Sequence, residues 1–441
     1  MSRKKILSLA LLMMSVLFLN AQQSQKLTLQ QAIKMGLENS KNLQLSAAKM
    51  ATANAKYNQA MDATIPSLKL MAGYTRQSEI DEFQAKFPGA AEPITFFPNI
   101  PNNYVTRASL SETIFSGFRL KYAMASQKYL QQAASLDAQK DSDEIAFAIV
   151  NAFYNIYKLN QSQKVVADNL KETQSHLNDV NNWEKNGIAT HNEVLKWELQ
   201  QSNVELTELD LENNLNVANY NMNLMLGLNG DVKIDVDSAS LFSNKELNSM
   251  EEYQKQASSN RGDLMAMDLR NKSLLNALKV SKNGYYPTVA VGANYYYNRP
   301  NSRIFPVTDE FKNTWDAGVT LSFDITNLYT NRHTIEEAKA NADQVEQQKN
   351  ILRDGIKMEV NQNYLTYLQS KKKIDVLTKS VIQAEENNRI TNNKYKNQLV
   401  LQSELADADN ALLQTKINLI LAKADAEVAY YKLLKSIGTI K

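Results

Sequence analysis

Apolar residues along this chain keep two different periods, and the switch between them sets its organisation. Over 314–326 they step by two. Trp315, Ala317, Val319, Leu321, Phe323 and Ile325 share one face, and Asp316, Gly318, Thr320, Ser322 and Asp324 the other, which predicts a strand with one apolar and one polar side. Similar alternation predicts strands over 67–76, 104–116 and 288–298, each close to the length that crosses a bilayer at a steep tilt. Elsewhere the step is three or four: Ile145, Ile149, Ala152, Ile156 and Leu159 make a coiled-coil seam. All eight prolines fall within Pro66–Pro101 or Pro287–Pro306. The two long proline-free spans left over suit very long helices. One of these, from Leu120 to Asn186, is about 67 residues or roughly 100 Å long. Shorter helices are expected over Thr28 to Thr64 and Thr190 to Leu226, and another long one from Arg332 to Asn397.

These elements occur twice. Asn39, Leu43, Pro66, Leu68, Leu70 and Tyr74 recur as Asn260, Leu264, Pro287, Val289, Val291 and Tyr295 at one offset of roughly 221 residues. Beyond the strands the offset shortens to about 211 and relates Trp183–Gly187 to Lys394–Gln398, Glu193 to Glu404, Tyr220 to Tyr431 and Gly227 to Gly438. The predicted organisation is a signal segment over 1–21, a first repeat over 22–227, a small segment over 228–250 and a second repeat over 251–441. Pro66 and Pro287 mark the helix-to-strand passages. Asn186-Gly187 and Asn397-Gln398 mark the tips where each long helix turns back.

Compartment follows from the ends and the composition. Arg3-Lys4-Lys5 precedes the apolar run Ile6 to Leu19 and then Asn20-Ala21-Gln22, the layout of a cleaved secretory signal. Its removal takes the formal charge from +2 to about −1, a balance that argues against a nucleic-acid partner. The chain has no cysteine, so disulfides and thiolate metal sites are excluded. No later run is apolar for eighteen residues, so membrane entry would be through strands. Tyr295, Tyr296, Tyr297 and Trp315 sit where an interfacial aromatic girdle is expected. Glu112 shares parity with Leu110 and Ile114, and is placed at the water-facing end of its strand. Four strands cannot close a membrane barrel, so transmembrane strands would require an oligomer.

No enzyme site is expected. The three histidines, His176, His191 and His333, show no metal-ligand spacing, and no glycine-rich phosphate loop exists. No catalytic, cofactor or metal residues are assigned. A secreted or periplasmic coiled-coil structural or adhesive protein is the alternative class, but it has no need of membrane-length strands at its helix ends.

With these elements in place the sequence resembles the TolC family of outer-membrane efflux ducts over nearly the whole chain after the signal segment. The resemblance is carried by Leu27–Ala32 with Glu38-Asn39, by Ile65–Leu68, by Leu110–Gly117 and by Asn186–Leu195. It implies a mostly α fold with β: a long coiled-coil α-barrel, and four strands per chain contributed to a trimeric twelve-stranded transmembrane barrel. A homotrimer in the outer membrane lipid of a Gram-negative bacterium would continue as a helical tunnel through the periplasm. It would take cargo from a periplasmic adaptor (a membrane fusion protein) and an inner-membrane pump, with no cofactor. The periplasmic entrance is carried over to Glu404 and Asp407, with Tyr395 before the turn and Asn192-Glu193 at the first tip. Thr113, Asp324–Asn327 and Gln398 depart from the family pattern, and Gln398 leaves the second tip without its glycine.

Overall fold

The computed structural model describes residues 24–79, 81–237 and 245–440; the signal expected over 1–21 lies outside them. A short strand, β1 (Ser24–Leu27), leads into the helices α1 (Leu29–Asn39) and α2 (Lys41–Asp62), then the strands β2 (Ser67–Arg76), β3 (Phe83–Ala85), β4 (Ile94–Phe97) and β5 (Asn102–Ser116). Two long helices follow, α3 (Arg119–Lys185) and α4 (His191–Leu226). The second half runs β6 (Lys233–Val236), α5 (Met250–Asn260), α6 (Gly262–Ser281), β7 (Thr288–Asn298), β8 (Lys312–Ser322), α7 (Asn327–Lys396) and α8 (Gln402–Ser436). These residues form two compact units. One comprises Ala48–Ser135 and Ala266–Asn350; the other takes in the chain up to Ala47, Leu136–Met265 and everything from Ile351 on.

The first of these units holds an antiparallel sheet of order β2-β5-β7-β8. Pro66 and Pro287 each stand immediately before the first residue of a strand, Ser67 and Thr288, where the absent N–H breaks no ladder bond. Register lines Leu68, Leu110, Ala293 and Ala317 across one face, with Leu70, Ala108, Tyr295 and Trp315 in the next row. That face is open: Leu70 and Trp315 are 78% and 74% exposed. The opposite face is polar. Arg107 donates to Asn294 Oδ1 at 2.8 Å, Asn294 Nδ2 to Asp316 Oδ1 at 2.6 Å, and Arg303 pairs with Asp316 at 2.7 Å.

Two strands differ in their limits from the sequence expectation. The second strand begins at Asn102 and not at Tyr104, because Arg76 and Thr75 of β2 still have partners there. The last runs over Lys312–Ser322 and not to Thr326. Asp324 Oδ1 accepts from Thr326 N at 3.0 Å, a side-chain turn that starts α7 at Asn327, five residues before the expected Arg332. A register shift between Thr113 and Phe115 also breaks the parity expected of Glu112 and Ile114: Glu112 pairs with Val291 and Phe115 with Val289. Phe115, beyond the bulge, therefore shares the apolar face with Leu110 and Glu112. Glu112 lies near the end of β5 that leads into α3.

In the other unit the helix expected over Thr28–Thr64 is two helices. Ser40 takes φ −65° and ψ 118°, its hydroxyl accepts from Leu43 N at 3.3 Å, and the helix restarts at Lys41. Asn39 Nδ2, freed at the break, donates to Leu226 O at 2.8 Å and so caps the last turn of α4. Gly227 closes that turn at φ 72°, and a Cβ there would stand 2.8 Å from the Asn39 side chain. The second half repeats the arrangement: Arg261 breaks the chain between α5 and α6 at φ −69° and ψ 117°, and Gly438 abuts Asn260 O. Thus Asn39 meets Gly227 as Asn260 meets Gly438. Around the first junction Ile149, Val150, Phe153, Tyr154 and Ile156 of α3 are buried with Ile33, Met222 and Leu226. This stripe is wider than the seam read from sequence, in which Ile145 and Ala152 are only partly buried.

At the tips, the turn after α3 is closed by Gly187 N to Glu184 O at 2.9 Å and Ile188 N to Trp183 O at 2.8 Å, with Gly187 at φ 71°. The turn after α7 has the same two bonds, Gln398 N to Tyr395 O at 2.8 Å and Leu399 N to Lys394 O at 2.9 Å. Gln398 adopts the left-handed conformation itself, at φ 60°. The pattern of bonds fixes the turn, and the Cβ is accommodated at a cost of about 1 kcal/mol.

Two outcomes are expected. Gln398→Gly should stabilise the protein by about 1 kcal/mol in denaturant or thermal unfolding; an unchanged or lowered midpoint would contradict the strain at this turn. At the second junction, burial works to raise the Asp263 carboxyl, but Arg261, at 2.7 Å and also bonded to Ser436 O at 3.2 Å, holds it below the usual carboxylate range. The stability contributed by Asp263 is therefore present above its unfolded pKa and lost as pH falls through the lowered folded value. In Arg261→Gln the buried carboxylate is relieved by protonation instead, so the thermal midpoints of variant and wild type should converge between about pH 7 and about pH 3. A gap independent of pH would count against this coupling.

Candidate functional site

The two tips share a core. Leu177 and Val180 of α3, Val194 and Trp197 of α4, Tyr395 of α7 and Leu405 of α8 are buried together, with Trp183 packed against them. Trp197 Nε1 donates to the Tyr395 hydroxyl at 3.2 Å, and the Trp183 and Tyr395 rings lie 5.4 Å apart. Burial pushes the Tyr395 hydroxyl pKa up, with the Glu193 and Asp179 carboxylates adding to it and the Trp197 bond opposing. Tyr395 is therefore a core residue that ties the two helical hairpins together.

The other residues singled out from the sequence separate into two groups. Glu193 lies close enough to act on Tyr395, and its carboxylate accepts from Thr190 N at 2.9 Å, capping the start of α4. Asn192 is exposed in the same turn, as are Asn186, Gly187, Asn397 and Gln398 at the tip turns. Glu404 and Asp407 are exposed in the first two turns of α8. Three residues apart on a helix, they share one face, which is not the face that buries Leu405, Ala408 and Asp409. The structure thus places Glu193 near the Tyr395 of the tip core and leaves Glu404 and Asp407 exposed.

A second cluster was not found from sequence. His176 of α3 and Asp409 of α8 are 4% and 3% exposed, with His176 Nε2 3.7 Å from Asp409 Oδ2. Asn388 of α7 donates to the other Asp409 oxygen at 2.5 Å, and the His176 ring lies 4.9 Å from the Trp197 ring. Burial pushes the Asp409 carboxyl up to about 7, with the Glu172 carboxylate adding and Asn388 opposing. The imidazole is pushed down by burial, against the pull of Glu172 and Asp179. Among the described residues, Glu172, His176 and Asp409 form a group whose ligand atoms all lie within 4.8 Å of one another. The legible part of this signal is Glu172 and His176, four residues apart on one helical face; nothing local ties Asp409 to them.

The family model described as outer membrane efflux protein matches residues 32–228 and again 254–439. No curated protein sequence is significantly similar to the chain. Among solved structures it is similar to the outer membrane protein VceC from Vibrio cholerae, at 17% identity over 93% of this chain and 96% of that one, with a TM-score of 0.76. The CmeC outer membrane channel of Campylobacter jejuni aligns at 13% identity over 93% and 85%, with a TM-score of 0.77. The MtrE outer membrane channel of Neisseria gonorrhoeae, in its open state, aligns at 14% identity over 94% and 89%, with a TM-score of 0.75. With four antiparallel strands of membrane length, long paired helices and the family model matched over both halves, the chain belongs to the outer membrane efflux protein family, TolC-like in fold: a bacterial outer-membrane channel protein with periplasmic helices, and not an enzyme.

Proposed function

We propose that three copies of this chain close into one passive duct, which receives cargo from an inner-membrane pump through a periplasmic adaptor. The observation that carries this reading is the sheet. Among the described residues β2 is hydrogen-bonded only to β5, and β8 only to β7, so two edges are free beside an apolar face suited to lipid. In a bilayer each unpaired backbone group costs several kcal/mol, and a neighbouring copy supplies the missing partners. Four strands per copy make twelve in a trimer, above the minimum of about eight for a membrane barrel.

The helices support the same occupant. Leu199, Leu206, Leu209, Val217 and Leu224 form an exposed apolar stripe along α4. Ile351, Met358 and Leu365 repeat every seven residues on α7 and are exposed as well, the spacing of a seam that seats a partner helix. A coiled-coil structural or adhesive protein would explain these stripes but not the apolar face of the sheet. The helical repeats over 22–227 and 251–441, joined through 228–250, are then two similar staves of one wall. In that wall three copies of Glu404 and Asp407 form carboxylate rings at the periplasmic entrance, which attract cations and repel one another as it narrows.

The test is the mass of the detergent-solubilised protein together with its conductance in a planar bilayer. Trimers giving small cation-selective steps are expected; a monomer without conductance would overturn the duct. Glu404→Ala with Asp407→Ala should weaken block by multivalent cations from the entrance side, and block that persists unchanged would remove these residues from the entrance.

A further inference from the structure

We propose that Glu172, His176 and Asp409 form a binding site for a first-row divalent cation of the zinc type, which clamps α3 to α8 within each chain. Two atoms here are orphaned. His176 Nε2 and Asp409 Oδ2 are both buried without a hydrogen-bond partner, in side chains more than nine-tenths buried. They face each other at 3.7 Å, too far for a hydrogen bond. Two ligands held by one tetrahedral ion at about 2.0–2.1 Å sit about 3.4 Å apart, so a bridging cation fits this gap with little movement.

Glu172 precedes His176 by four residues on α3, one helical turn away on the same face, and its carboxylate lies within 4.8 Å of the other two ligand atoms. Being only half-buried, it has room to swing inward and make up the difference. Asn388 holds the second oxygen of Asp409 at 2.5 Å and the Trp197 ring packs on the imidazole, which fixes both ligands from behind. Imidazole nitrogen and carboxylate oxygen are both zinc ligands, and three protein ligands leave a fourth tetrahedral position open, whereas magnesium and calcium are hard cations that take oxygen and not imidazole nitrogen. Two carboxylates beside a neutral imidazole carry the charge that a divalent ion cancels, and a buried charge needs that cancellation. Glu404 and Asp407, on the outer face of α8, take no part.

The experiment uses the full-length protein in detergent, stripped with a chelator and titrated with Zn2+ calorimetrically and with Co2+ spectroscopically. One ion per chain is expected, with the intense visible absorption of a tetrahedral Co2+ site and a higher thermal midpoint. Asp409→Asn and His176→Gln should abolish stoichiometric uptake. Glu172→Gln, at the rim where core packing is undisturbed, should weaken it at least about tenfold. Glu404→Ala with Asp407→Ala should bind as the wild type does. Absence of stoichiometric uptake by the wild type would overturn the site and leave a proton shared between His176 and Asp409 as its occupant. Uptake that survives Glu172→Gln and Asp409→Asn but disappears with Glu404→Ala and Asp407→Ala would also overturn it, by assigning the ion to the exposed carboxylates.

Discussion

Backbone hydrogen bonding in lipid is the constraint on which the rest of this structure depends. A four-stranded antiparallel sheet has two edges, and water can satisfy them only outside the hydrocarbon layer. Once one face of that sheet is apolar and as exposed as Leu70 and Trp315 are here, the edges belong in lipid and need strands from elsewhere. In the proposed trimer, identical copies joined edge to edge would close into a ring, with β2 of one meeting β8 of the next. The same symmetry would serve the helices. A helix stripe such as Leu199–Leu224, exposed among the described residues, would acquire a neighbour by the same operation that pairs the strands.

Within the chain, a different interaction sets the geometry of the helical layer. Long helices cannot turn within a coiled coil without leaving carbonyls unpaired, and the chain meets this at two kinds of place. At the tips the same pair of backbone bonds closes each turn, and Asn186 and Asn397 add equivalent side-chain bonds to Asn182 O and Asn393 O at 2.7 Å, so Gln398 can stand where Gly187 does. At the junctions the side chain comes from the end of another helix: Asn39 reaches the last carbonyl of α4, and Arg261 reaches the last carbonyl of α8. Different residue types carry the same duty in the two halves, which is how an internal repeat can drift in sequence while its helix ends remain capped.

This distinction explains what could be read from the sequence. Helix existence, strand existence and the prolines at their boundary were legible because each rests on local periodicity or on a missing N–H at Pro66 and Pro287. Boundaries set by a side chain folding back on its own backbone were not, as at Ser40 and Asp324. Neither was the bulge beside Thr113, since it depends on the partner strand's register. Among the site residues, Glu404 and Asp407 are where exposed helix positions should be. Tyr395 and Glu193 have structural partners, Trp197 and Thr190, that only tertiary proximity reveals.

The deepest difference lies between neighbours on α8. Asp407 and Asp409 are two residues apart, which on a helix sends them to opposite faces; one is solvated and the other sealed beneath His176 and Asn388. Water solvates the outer carboxylate, so its charge needs no buried partner. The inner carboxylate has no such screening, and its charge persists only if something buried with it compensates. Asn388 supplies one hydrogen bond and no charge, and a histidine 3.7 Å away supplies charge only when protonated, which its own burial opposes. Neutralisation therefore has to be imported, as a proton or as a cation, and the choice between them fixes how firmly α8 is held to α3 at the tip.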